Sequence, residues 1–101
     1  MIVDELRSKQ IEYHKAGDTA RLEVLRYLLA QVKNKEIELR PTNEQVTDEM
    51  VFKIIRKQVK NRKEAIELYE RGKRQDLVEK ESAELLIWRE FAKLFPFELD
   101  I

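Results

Sequence analysis

Four residues punctuate this chain: Gly17, Pro41, Gly72 and Pro96 are its only glycines and prolines. Between them lie long runs rich in Leu, Ile, Glu, Lys and Arg, residues that lose little on entering a helix. The backbone therefore has few places to turn, and the expected class is all-α. With 101 residues the chain suits one domain with one core, of a size that buries roughly 60 to 70 % of its unfolded surface and needs no staple. No disulfide is available in any case. The absence of cysteine excludes a disulfide framework and a thiolate site, and fits a reducing compartment.

The spacing predicts a first helix over about 2–16, with Val3, Leu6, Gln10 and Tyr13 along one side. Gly17 supplies its stop and Asp18 an N-cap for the next helix, its carboxylate accepting from a backbone N–H without an intrahelical partner. A second helix over 19–39 carries the stripe Leu22, Leu25, Leu28, Leu29 and Val32, flanked by Val24 and Leu39. Pro41 ends it, because the residue before a proline is pushed out of the α region, and 40–46 is a polar loop. Thr47 as N-cap, with Asp48 and Glu49 at the positive end of the macrodipole, opens a third helix over 47–71 that stops at Gly72. Its apolar positions are Val51, Ile54, Ile55, Val59, Ala65, Ile66 and Tyr69. A fourth helix over 75–95 is expected to bury Leu77, Leu85, Trp88, Phe91, Ala92 and Phe95, and Pro96 stops it. Connections of roughly two to seven residues suit antiparallel neighbours, so the expected architecture is a four-helix antiparallel, bundle-like domain. Residues 96–101 are apolar enough to want a partner surface, too short for an element, and read as the start of a further one.

The chain opens Met-Ile-Val-Asp, meeting charge at its fourth residue. No signal peptide, transit peptide or membrane span can be fitted, and the expectation is a soluble cytoplasmic protein with no membrane partner. Twenty basic and twenty acidic residues cancel, which argues against a general electrostatic DNA binder. Their distribution is lopsided. From 53 to 63 there are six basic residues and no acid, whereas 76–100 holds seven acids against three bases.

Some charges break the apolar pattern. Projected at 100° per residue, Arg62 falls within about 20° of the axis of the third helix's apolar stripe, between Ile55, Val59, Ile66 and Tyr69. Glu81 and Glu84 fall on the stripe of the fourth helix among Leu77, Leu85 and Trp88. If these helices form a hairpin about 72–74, Arg62 comes level with Glu84 and within a turn of Glu81, which predicts a buried or half-buried structural ion pair. A carboxylate pair beside an arginine is also compatible with a catalytic acid and base. The structural pair asks for nothing more, whereas catalysis needs a cleft and a nucleophile, so the structural reading is preferred. His14, the only histidine, excludes a His-rich metal site and, near the end of the first helix, reads as a surface residue rather than the base of a Ser/His/Asp device. Glu64, Glu67 and Glu70 lack the Glu-x-x-His partners of bundle metal sites. No phosphate loop or nucleophile elbow is present, so no catalytic residue, metal or cofactor is expected, and the chain should act by binding.

The basic run is the candidate binding surface. Lys53, Arg56, Lys57, Lys60 and Lys63 cover the side of the third helix opposite Ile55 and Ile66, and Arg71, Lys73 and Arg74 extend the positive charge to its end. Such a stripe can neutralise phosphates along a nucleic-acid backbone. From composition alone, a simply solvated helix face explains it better.

Two segments carry a family resemblance. RLEVLRYLLAQVKNKEIE at 21–38 resembles the opening of the YqeY family, and QVKNRKEAIELYERGKRQDLVEKESAEL at 58–85 resembles its most recognisable motif. The likeness spans essentially the whole chain and includes the Arg62-Lys63-Glu64 step, the turn at 72–76, Glu81 and Glu84. The family shares its fold with the tail domain of the B subunit of the glutamine-dependent aspartyl/glutamyl-tRNA amidotransferase, where the helical tail contacts the body of tRNA and the amide chemistry happens elsewhere. The resemblance thus implies a non-catalytic, tRNA-associated binding domain. A family-level label of carbon-nitrogen ligase with glutamine as amido-N-donor would not mean catalysis here. The alternative is an accessory module that docks on amidotransferase subunits without touching RNA, through Tyr27, Ile37 and the apolar tail from Phe95 to Ile101. Members of the family usually continue past a Leu-Pro element into a second, smaller helical subdomain. This chain has Leu94-Phe-Pro-Phe-Glu-Leu there and is expected to correspond to the first subdomain alone.

Overall fold

The computed structural model describes residues 1–101. It is all-α, with helices α1 (Ile2–Ala16), α2 (Thr19–Leu39), α3 (Asp48–Arg71) and α4 (Gln75–Ala92), a 3₁₀ turn at Arg40–Thr42, and no strand. No helix is long and apolar enough to cross a membrane. The chain divides into two compact units, Met1–Ile54 and Ile55–Ile101, and α3 contributes 48–54 to the first and 55–71 to the second.

In the first unit α1 packs against α2 across a tight corner. Gly17 adopts φ 67° and ψ 22°, the left-handed region where a side chain is strained. Asp18 follows as N-cap of α2, its Oδ1 accepting from the Arg21 N–H at 3.2 Å. At the far end of α2 the expected proline effect is only partly seen. The helix stops at Leu39, yet Arg40, directly before Pro41, keeps αR angles of φ −51° and ψ −46°. The chain tightens into a 3₁₀ turn in which Pro41 takes an early position, where its missing N–H is no loss. Thr47 Oγ1 then accepts from the Met50 N–H at 3.2 Å and starts α3. The first acid of α3 also serves α1, since Asp48 Oδ1 accepts from the Ile2 N–H at 3.2 Å. Val3, Leu6, Leu22, Val24, Leu25, Leu28, Val32, Leu39, Val46, Val51 and Phe52 are the unit's buried apolar side chains.

Asp18 carries a pH dependence whose sign is fixed by its bonds. The Arg21 backbone N–H, then the Arg21 guanidinium, hold its carboxyl below the ordinary 3.8. A group depressed in the folded state contributes stability that is present above the unfolded value and lost as pH falls through the folded one. The cap should therefore persist at pH 4 and loosen only in stronger acid. An NMR titration of the Asp18 side chain with a midpoint at or above 3.8 would contradict this.

In the second unit α3 and α4 form a hairpin. Its turn differs from expectation. Gly72 ends α3 but is not the left-handed residue; Lys73 is, at φ 56°. Gly72, Lys73 and Arg74 donate backbone bonds to Leu68, Glu70 and Tyr69 carbonyls at 3.0, 3.2 and 2.9 Å, which satisfies the carbonyls left open at the end of α3. A β-carbon on Gly72 would meet only the Leu68 and Tyr69 carbonyl oxygens, at 3.5 and 3.9 Å. Strain thus sits at Lys73 and freedom at Gly72. Lys73→Gly should raise unfolding stability by about 1 kcal/mol, Gly17→Ala should lower it by about as much, and Gly72→Ala should not destabilise. Urea denaturation of the three variants checks the order.

Helix α4 is shorter than the predicted 75–95. It ends at Ala92, because Pro96 has no N–H to offer the Ala92 carbonyl. Leu94 and Phe95 instead bond the Phe91 and Ala92 carbonyls, both at 3.1 Å, in a tightened last turn. The unit's buried set is Ile55, Val59, Val78, Ile87, Trp88, Phe91, Ala92 and Phe95, with Gln58 its buried polar residue. Trp88 and Phe91 meet edge to face, centroids 6.5 Å apart. Leu77, Leu85, Ala65, Ile66 and Tyr69, expected in the core, are only half-buried. Ala65, Ile66, Tyr69 and Leu77 lie toward the turn, where two helices leave part of their interface uncovered. The tail also departs from expectation: Phe95 is 5 % exposed and Phe97, Leu99 and Ile101 are half-buried on their own unit.

Candidate nucleic-acid interface

Within the second unit Arg56, Lys57, Lys60 and Lys63 stand three and four residues apart on α3, the spacing that makes neighbours on one helix face. At 1.5 Å rise per residue they span about 10 Å. Lys57, Lys60 and Lys63 are exposed, and no ion pair engages them. Lys53, exposed on the same helix, falls in the first unit.

The eight candidate cations do not make one run. Glu64 and Glu67 project within about 40° of Lys60, so acid interrupts the face before Arg71 is reached. Lys60 and Glu64, like Lys63 and Glu67, are four apart with the lysine first, the poorer order for a helical ion pair, and neither pair closes to 4.0 Å. The ammonium groups are left to solvent or to a ligand. With Ile101 these four side chains line a shallow concavity of about 260 Å³.

The arginines are committed differently. Arg56 Nε donates to Asp100 Oδ1 at 2.8 Å and Nη2 to Oδ2 at 3.3 Å. That fork of hydrogen bonds, with the attraction of the charges, raises the guanidinium and lowers the carboxyl from their ordinary values. Arg74, the N-cap of α4, does the same with Asp76, at 3.2 and 3.1 Å, again raising the base and lowering the acid. Arg71 and Lys73 are exposed and carry no ion pair. Lys57, Lys60 and Lys63 are thus the uncommitted cations that stand together on one face, with Arg71 and Lys73 beyond the acids and Lys53 in the first unit. Pairing of residues as distant in the chain as Arg56 and Asp100 leaves no periodic trace in sequence. Only the alternation of apolar and polar residues over 95–101 hints that the tail lies down on its own unit.

On the side of α3 that faces α4, the structure brings Arg62, Glu81 and Glu84 together. Arg62 Nε donates to Glu84 Oε2 at 3.0 Å and stands 3.2 Å from Glu81 Oε2. The Glu81 contact is close enough for an ion pair but outside hydrogen-bond geometry, and Glu81 Oε2 is buried without a hydrogen bond. The side chains of Arg62, Glu81 and Glu84 are 24, 17 and 31 % exposed. One guanidinium thus faces two carboxylates in a half-buried setting.

Comparison with known proteins adds to this geometry. The family model described as Yqey-like protein matches residues 3–99. The "Altered inheritance of mitochondria protein 41, mitochondrial" of Kluyveromyces lactis is 34 % identical over 82 residues, 80 % of this chain and 43 % of that protein. An uncharacterized protein of Schizosaccharomyces pombe is 28 % identical over 86 residues, 85 % of this chain and 68 % of its own length. The chain thus spans less than half the length of the first of these relatives.

Proposed function

This chain belongs to the YqeY-like family, and on that premise we propose that it is a non-catalytic, tRNA-associated binding domain whose RNA contact is the Lys57, Lys60 and Lys63 face of α3. The observation that carries the reading is that these three amines are exposed on neighbouring positions and bound to no acid of the chain. Phosphates are the ligands that such amines neutralise with least demand on geometry. The resemblance to the amidotransferase B-subunit tail supplies tRNA as the class of RNA. In this reading the chain corresponds to the family's first helical subdomain, and any amide transfer belongs to a partner. The Kluyveromyces lactis relative is named as mitochondrial, so the tRNA pool invoked is cytoplasmic or mitochondrial.

The contact is short. Glu64 and Glu67 close the basic window after Lys63, which limits it to about three phosphates and makes it one of backbone and shape, with little reading of bases. Mapping backbone amide resonances during a titration with total tRNA tests the placement. Shifts should centre on 57–63. Shifts centred on Tyr27 and Ile37, exposed by 44 and 48 % on α2, would favour the accessory-module reading, and no shift at all would contradict the RNA contact.

A further inference from the structure

The segment that follows α4 is laid down as an arm. Phe95, Phe97, Leu99 and Ile101 are buried or half-buried, whereas Pro96, Glu98 and Asp100 between them are exposed. The alternation gives the segment one apolar face against its unit and one face toward solvent. Two arginines of the same unit fasten it. Arg89 Nη1 donates to the Ile101 main-chain oxygen at 3.1 Å, and Arg56 holds Asp100 through the paired bonds at 2.8 and 3.3 Å.

The second fastening falls on the edge of the lysine window. Arg56 is one turn from Lys60 on the same face, and Ile101 borders Lys60 and Lys63 in the concavity. A guanidinium offering two parallel N–H groups to a carboxylate presents the geometry with which it takes a phosphate. Resting on the RNA-contact reading, we propose that the arm at 96–101 is a built-in competitor for RNA, in which Asp100 stands in for a phosphate on Arg56 and a nucleic-acid backbone displaces it. The pair is open to exchange, with the Arg56 and Asp100 side chains 43 and 63 % exposed, and exposed ion pairs are weakly held and screened by salt. The apolar side chains of the arm keep Asp100 at high local concentration, so the competition is intramolecular. The consequence is a fourth phosphate site that opens only when RNA or a substitution removes Asp100.

The test measures the affinity of the full chain for total tRNA by fluorescence anisotropy across a salt series. Asp100→Asn keeps the side-chain shape and removes the charge. It should tighten binding about two- to tenfold at low salt and steepen the log affinity against log salt line by about 0.9, one added phosphate. Adding Arg56→Ala should cancel the gain. Glu98→Gln removes an equal charge from the exposed side of the arm without touching Arg56, and should give a clearly smaller gain. An equal gain from Glu98→Gln would reduce the effect to net charge and overturn the proposal. Binding by the unaltered chain that Asp100→Asn leaves unchanged would overturn the competitor and leave the RNA contact standing. No binding by either chain would overturn both.

Discussion

Changing Lys57, Lys60 and Lys63 together to glutamate should weaken tRNA binding at low salt by at least about a hundredfold while the helices remain. The size of the effect comes from reversal, since three attractions to phosphate become three repulsions within about 10 Å of helix. The fold has little to lose. All three side chains are exposed and none holds an intramolecular acid. The new glutamates at 60 and 63 would stand one turn from Glu64 and Glu67, and like-charge pairs at that spacing cost a few tenths of a kcal/mol each. Circular dichroism should therefore show an unchanged helical signal and a melting temperature lowered by a few degrees at most. Affinity equal to that of the unaltered chain would remove the lysine face from the account.

The second large effect is expected at Arg62. Arg62→Met keeps most of the apolar stem and removes the cation between Glu81 and Glu84. Leaving a fully buried charge without its partner costs about 3 to 5 kcal/mol. Here the groups keep between 17 and 31 % of their exposure, so water screens part of that penalty, and about 2 kcal/mol is the expected loss. The two carboxylates should not count equally. Glu84 accepts the hydrogen bond from Arg62 Nε, whereas the nearest oxygen of Glu81 has no hydrogen bond. Glu84→Gln should cost more than Glu81→Gln, and adding both to Arg62→Met should recover much of the loss, since no unpaired charge would remain. Chemical denaturation in which Glu81→Gln proves the more damaging change would contradict this assignment. We read the cluster as setting the register of the hairpin. Arg62 and Glu84 lie equally far along the chain from Lys73, and a slip by one residue would part them.

Much of this was legible in sequence, for reasons that differ by residue. Gly17 and Asp18 announce the α1–α2 corner because a left-handed stop and a capping carboxylate are local devices, complete within a few residues. Gly72 announces a stop equally well, yet the left-handed angle belongs to Lys73. The choice between adjacent residues depends on which carbonyls the turn must satisfy, and composition does not encode that. Pro96 marks an end but acts several residues upstream, through the N–H it cannot offer to Ala92. The wheel positions of Arg62, Glu81 and Glu84 are visible in the sequence, whereas the half-exposure of Leu77, Leu85 and Ile66 around them is not. Periodicity reports a direction on a helix and not how much protein covers it. Arg56 is the sharpest case. Sequence counts it with the lysines of the basic stripe, and the structure commits it to Asp100.

We propose contact between the uncommitted lysines of α3 and RNA phosphates. Its most direct test is the equilibrium affinity of this chain for total tRNA, measured from low to physiological salt. Three phosphate contacts predict a log affinity against log salt line with a slope of about −2 to −3. A slope near zero, or no binding at the lowest salt, would contradict the claim.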